Sequence, residues 1–216
     1  MENICAICIF HDEIMKNEIL QTSLQQFLKH GIRKMSVQKL VAPLGISTKT
    51  VYKYFRNKED LLEHGLQLFH AQQYEMLQNQ LANQHAATLF FDIWYKSFEL
   101  EYKVNQAFFH DLHYYYPELE KKIEGTVAKR FKLRFAGIVQ KGIDEGAFQK
   151  TIHPEITLEV IYVLYAAIVR EGRFKRFRMP AFDLLFNTIG KYIRGICTEK
   201  GISELDAHMA KLQRSA

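Results

Sequence analysis

"GISTKTVYKYFRNKEDLL", Gly45 to Leu62, sets Lys49, Lys53, Arg56 and Lys58 ahead of its first acids, Glu59 and Asp60. A Ser-Thr pair and two tyrosines, Tyr52 and Tyr54, add hydroxyl groups, while between Ser47 and Lys58 only Val51 and Phe55 offer apolar anchorage. Gly45 is placed to end one short helix and Ser47 to cap the next. A helix this basic and this lightly anchored needs a second surface to complete its environment. A nucleic-acid groove supplies one, since lysines meet phosphates as point charges and hydroxyls add directed hydrogen bonds.

The flanking sequence supports that reading. Upstream, Leu20, Leu24, Phe27 and Leu28 follow helical spacing, and Gly31 stands where a C-terminal glycine closes a helix. Ser36 then caps a short helix whose apolar face is Val37, Leu40, Val41 and Leu44. Two short helices joined at "GIS" and braced by a preceding one have the proportions of a helix-turn-helix. Thr48, Lys49, Thr50, Tyr52, Lys53 and Tyr54 are left to face outward. Pro43 removes a backbone donor from the last turn of the second helix and is expected to bend or shorten it. Downstream, Leu62, Leu66, Phe69, Met76 and Leu77 mark a long helix. Between Lys29 and Lys58 there are eight basic residues and no acid, so the rest of a chain of net charge +5 nets −3. A basic head on a mildly acidic body points to a polyanionic partner for the head.

From about Met15 to Leu62 the chain resembles the TetR family of bacterial transcriptional regulators. The resemblance rests on the helix ending at Gly31 and on "MSVQKLVAPLGISTKTVYKYFRNKEDLL", Met35 to Leu62, with the family's Tyr-x-Tyr-Phe-x-x-Lys pattern at Tyr52 to Lys58. It implies an N-terminal three-helix DNA-binding domain over residues 15–62 and a larger helical effector-binding and dimerisation domain over residues 63–216. It also implies roles for single residues. Thr48, Lys49, Thr50 and Lys53 fall at recognition-helix positions facing the major groove. Tyr52, Tyr54 and Lys58 fall at phosphate-contacting positions, and Ser36 at a capping position that also touches the backbone. Residues 1–14 fit no family element. Met15-Lys16-Asn17-Glu18 reads as the natural start of the first helix, and even as the start of the protein, so the extension is expected to be dispensable.

The remainder is helical in pattern, giving an all-α chain of roughly nine or ten helices. "ITLEVIYVLYAAIV", Ile156 to Val169, is apolar on almost every face. Phe182, Leu185, Phe186, Ile189, Ile193 and Ile196 make a stripe. Two neighbouring helices with surplus apolar surface suggest a four-helix homodimer interface, with a thick monomer core as the competing reading. Eleven of the 28 aromatic residues lie between Phe90 and Tyr116. Their spacing fits core packing, and an aromatic wall also suits an apolar ligand pocket. Trp94, Phe98 and Tyr102 are the candidate ligand-binding wall, with His110 and His113 orienting a polar end.

Other classes of function are disfavoured. No GxSxG, P-loop, GxGxxG or HExxH motif occurs, so no enzyme is proposed and no cofactor is expected. Cys5, Cys8 and His11 lack a fourth ligand for structural zinc, and no metal site is expected. The longest strongly apolar run, Val160 to Val169, is about half of the ~20 residues a bilayer span needs. Three cysteines and the lack of a signal peptide point to the cytoplasm. The expected function is a homodimeric regulator, with repressor as the expected sign. It binds pseudo-palindromic operator DNA and is released by a small, largely apolar effector. The alternatives are a DNA-binding interaction protein controlled by a protein partner, with no ligand pocket, and a small-molecule binder or enzyme that retains the head.

Overall fold

The computed structural model describes residues 2–79 and 85–215, with side chains at 11–75, 85–123, 125 and 131–214. All regular elements among them are helical, apart from one isolated antiparallel bridge between Phe148 and Cys197. The long helices are α1 (Glu2–His30), α4 (Lys58–Asn79), α5 (Ala86–Glu101), α7 (Pro117–Asp144), α8 (Pro154–Val169) and α11 (Glu199–Ser215). Shorter ones are α2 (Val37–Val41), α3 (Thr48–Val51), α6 (Gln106–Tyr115), α9 (Ala181–Leu185) and α10 (Lys191–Ile196). A π-helical turn, Phe186–Gly190, joins α9 to α10 without a break. No helix of the described residues is long and apolar enough to cross a membrane.

Two compact units form, and neither is one continuous stretch: Met1–Tyr74 with Val104–Glu124, and Glu75–Lys103 with Gly125–Ala216. In the first, α1 does not start at Met15 as the sequence suggests but runs through it from Glu2. No proline or glycine interrupts residues 2–15, so nothing stops the helix from propagating. The α1 residues Ile19 and Phe27, Leu40 of α2, Val51 of α3 and Phe55 just after it, and Leu62 of α4 are all essentially inaccessible and form one core. Leu66 and Phe69 continue that face, while Met76 and Leu77 lie outside the described side chains.

The second stretch of this unit is bound to the end of α1. Asn105 caps α6 through a 2.9 Å bond from Ala107 N–H to its Oδ1. Its own amides donate to the carbonyls of Leu28, at 2.8 Å, and Lys29, at 3.1 Å. Two of the last carbonyls of α1 are thereby satisfied.

In the second unit, Phe90 and Phe91 of α5, Phe148, Ile161 of α8, Ile189 and Ile193 are almost wholly buried. Four residues of the stripe expected at a subunit interface, Leu185, Phe186, Ile189 and Ile193, are therefore core of this unit, while Phe182 and Ile196 are half-buried. Phe186 packs on Phe91 with ring centroids 5.5 Å apart, and Phe182 on Tyr95 at 5.1 Å. Helix α11 packs on α5 and buries Leu205 and Met209. The exposed apolar surplus lies on α8 instead: Ile156 is 61% exposed and Val163 58%. Cys197, the one described cysteine, is buried, and that burial pushes its thiol up to about 12. Its Sγ–H donates to the Ile193 carbonyl.

Candidate nucleic-acid interface

The interface is built from three consecutive turns. At the end of α1, Gly31 adopts φ +82°, which only glycine takes without strain, and donates to the Phe27 carbonyl at 2.9 Å. The next two amides, of Ile32 and Arg33, both donate to Asp111 Oδ2 of α6, at 2.9 and 2.7 Å. Asp111 is a buried carboxylate, and it holds this turn in place.

Ser36 Oγ then accepts from Lys39 N–H at 3.3 Å and caps α2. After five residues the helix tightens into a 3-10 turn, Ala42–Leu44, at Pro43, as expected from the missing donor. Gly45 leaves that turn at φ +66°, and Ser47 Oγ caps α3 by accepting from Thr50 N–H at 3.2 Å. Each turn leading into α3 thus has a named cause.

On α3 and the turn after it, Val51 and Phe55 face inward and Lys49, Tyr52 and Lys53 outward, with Tyr52 52% exposed. Thr48 is half-buried. Thr50 Oγ1 lies within hydrogen-bond distance of Ser47 Oγ, at 3.1 Å. Lys39, Lys49 and Lys53 make no ion pair among the described residues.

Three other basic groups, Lys58, Arg56 and Arg33, are already engaged. Lys58 Nζ donates to the Ile32 carbonyl at 2.7 Å, and burial pulls its pKa down, partly offset by the charge of Asp111. Arg56 pairs with Asp60 at 3.1 Å, and Arg33 donates to Tyr115 Oη at 2.7 Å. The Tyr54 hydroxyl donates to Asp12 Oδ1 at 2.7 Å, and that bond raises its pKa. The acids that meet Lys58, Arg33's turn and Tyr54 stand far away in sequence, so the acid-free run is less unbalanced in space. Asp12 and Asp111 carry no motif that would have revealed these roles.

The candidate ligand residues divide between the units. Trp94 stacks on Phe135 at 5.1 Å and meets Tyr165 at 5.5 Å. Phe98 is fully buried beneath Tyr102, their rings 5.1 Å apart, and Tyr102 is half-exposed. Neither Trp94 Nε1 nor Tyr165 Oη, both buried, has a hydrogen-bond partner of good geometry among the described residues. The Glu101 carboxylate is near enough to raise the Tyr165 pKa, after burial as the main cause. His110 and His113 belong to the other unit. His110 stacks on Tyr114 and His113 Nδ1 lies 3.0 Å from Glu120, both largely exposed.

A groove of about 520 Å³ runs between α10 and α11, lined by Phe186, Lys191, Arg194 and Asp206 among others, and by none of Trp94, Phe98 or Tyr102. No group of three or more His, Cys, Asp or Glu that could hold a metal gathers among the described residues, and Cys5 and Cys8 lie outside the described side chains.

Residues 19–64 match the model described as bacterial regulatory proteins, tetR family. No curated protein resembles the chain in sequence. The fold is similar to that of a TetR-family transcriptional regulator from Cytophaga hutchinsonii, at 16% identity and TM-score 0.69, covering 88% of this chain and 98% of that one. A TetR transcriptional regulator from Chloroflexus aurantiacus is similar at 15% identity and TM-score 0.69, covering 87% and 98%. The fatty acid degradation regulator of Bacillus halodurans is similar at 18% identity and TM-score 0.64, covering 82% and 94%.

Proposed function

We infer, from a chain whose residues 19–64 belong to the tetR family of bacterial regulatory proteins and whose fold is that of such regulators, that this protein is a homodimeric repressor of the cytoplasm. It binds a pseudo-palindromic operator and is released by a small, largely apolar effector. One observation carries the DNA-binding part: a capped α3 whose inner face is held by Val51 and Phe55 while Lys49, Tyr52 and Lys53 stand exposed. In this reading Thr48, Lys49, Thr50 and Lys53 face the major groove, the Lys49 and Lys53 charges also neutralise neighbouring phosphates, and Ser36, Tyr52 and Tyr54 hydrogen-bond to phosphates. Lys58, already bonded to Ile32, serves mainly to brace the turn after α1.

Binding is then largely electrostatic. With ~4 phosphates neutralised per protomer, log K of the dimer should fall against log salt with a slope of roughly −7. Selection from random DNA identifies the operator, and titration at several salt concentrations gives the slope. Lys53→Ala should flatten it, and Lys49→Ala should also change sequence preference. An affinity independent of salt would refute the reading.

For the effector, Trp94 and Phe98 remain the proposed apolar wall, with Tyr102 at its edge. Trp94 Nε1 and the Tyr165 hydroxyl are the groups best placed to meet a polar atom. His110 and His113 belong to the other unit, and no role toward this wall is proposed for them. Trp94 is the sole tryptophan, so its fluorescence reports this cluster. Compounds that release DNA should shift Trp94 emission. Tyr165→Phe should weaken their effect about tenfold, equivalent to ~1.4 kcal/mol of coupling, while unliganded DNA binding is kept. Release without any Trp94 response places the effector elsewhere. The second reading, control by a protein partner, has the burial of Trp94 and Phe98 in its favour, since solid core needs no ligand.

A further inference from the structure

The segment upstream of residue 19 lies outside the family match, yet it reaches the DNA-binding unit. Helix α1 continues back through it, and Asp12 takes the hydrogen bond of Tyr54 at 2.7 Å. One turn further along the same helix, Lys16 Nζ stands 6.0 Å from the centre of the Phe55 ring. The extension therefore runs beside the turn that follows α3, where Tyr54 is proposed to contact a phosphate.

A tyrosine hydroxyl has one proton. It can donate that proton to the Asp12 carboxylate or to a phosphate oxygen, and both are acceptors only. Asp12 and the DNA backbone thus compete for the same donor. They also repel each other, since both carry negative charge. We propose that Asp12 is a built-in competitor for the operator phosphate: the N-terminal extension holds Tyr54 back and lowers DNA affinity. The proposal rests on the regulator reading above and gives Asp12 a role where residues 1–14 were expected to be dispensable.

The sign of the test follows from the chemistry. Asp12→Asn removes the charge, and its amide can donate to the tyrosine oxygen, leaving the phenolic proton for a phosphate. Because the pair is solvent-exposed, the effect is modest. Asp12→Asn should bind both the selected operator and an unrelated duplex about fivefold more tightly, measured by fluorescence anisotropy at one salt concentration. In a Tyr54→Phe background the gain should shrink to about twofold, the part due to charge alone.

Unchanged or weaker binding by Asp12→Asn, or a gain that persists in full without the Tyr54 hydroxyl, overturns the proposal and leaves the regulator reading standing. If the unsubstituted protein binds neither duplex, the regulator reading itself fails, and the proposal with it.

Discussion

Val163→Asp should sediment as a monomer and lose at least ~100-fold in operator affinity, with little change in the folding of each chain. Val163 and Ile156 sit one heptad apart on α8 and are more than half exposed, so an aspartate there displaces nothing in the chain's own core. Glu159, Val160, Ala166 and Ala167 lie on the same face at helical spacing, exposed or partly so. The alanines would allow a second helix to approach closely. A protomer engaging one half-site forfeits the effective concentration that the other half-site provides, which accounts for the size of the loss. Ile189→Asp is a poor test of the same idea, since Ile189 is fully buried within its own unit and a charge there would unfold it. A Val163→Asp protein that still sediments as a dimer would move the interface off α8.

Asp111→Ala should lower stability by about 3 kcal/mol and the melting temperature by roughly 6–12 °C. The substitution strips two backbone donors, the buried Ile32 N–H and the part-buried Arg33 N–H, of one shared acceptor. It also removes the charge that favours the Lys58 ammonium against its burial. Asp111→Asn keeps an acceptor oxygen and loses only the charge, so its melting temperature should fall between the two. DNA affinity should drop with the alanine variant, because the turn after α1 sets where α2 and α3 begin. A melting temperature within 1–2 °C of the parent would mean that water replaces the carboxylate without loss.

The helix-turn-helix was readable because its cues are local. Gly31, Ser36, Pro43, Gly45 and Ser47 each act on the few residues around them, and the cap bonds and turns form where those residue types place them. The same locality explains what was missed. Tyr54 meets Asp12 from 42 positions away, and Ile32 meets Asp111 from 79. Nothing in the periodicity of α1 or α6 distinguishes either aspartate from a solvated one. The stripe through Ile189 and Ile193 had the spacing of an interface, but spacing records only that a face is apolar. Whether it meets a second copy or its own chain depends on α5 and α11, which come from distant sequence. The start of α1 was misplaced for a simpler reason: a methionine followed by charged residues looks like a beginning, yet helices end only where something ends them.

The first unit draws on two separate stretches of chain, with residues 75–103 of the second unit between them. That arrangement governs how such a protein could be recombined. A specificity cassette cut after Leu62 or Tyr74 would leave Asn105 and Asp111 behind, along with the bonds they make to Leu28, Lys29, Ile32 and Arg33. Fusing the excised head to a foreign sensor would transplant recognition chemistry without its scaffold. A working chimera has to carry residues 104–124 as well and exchange what lies between and after them.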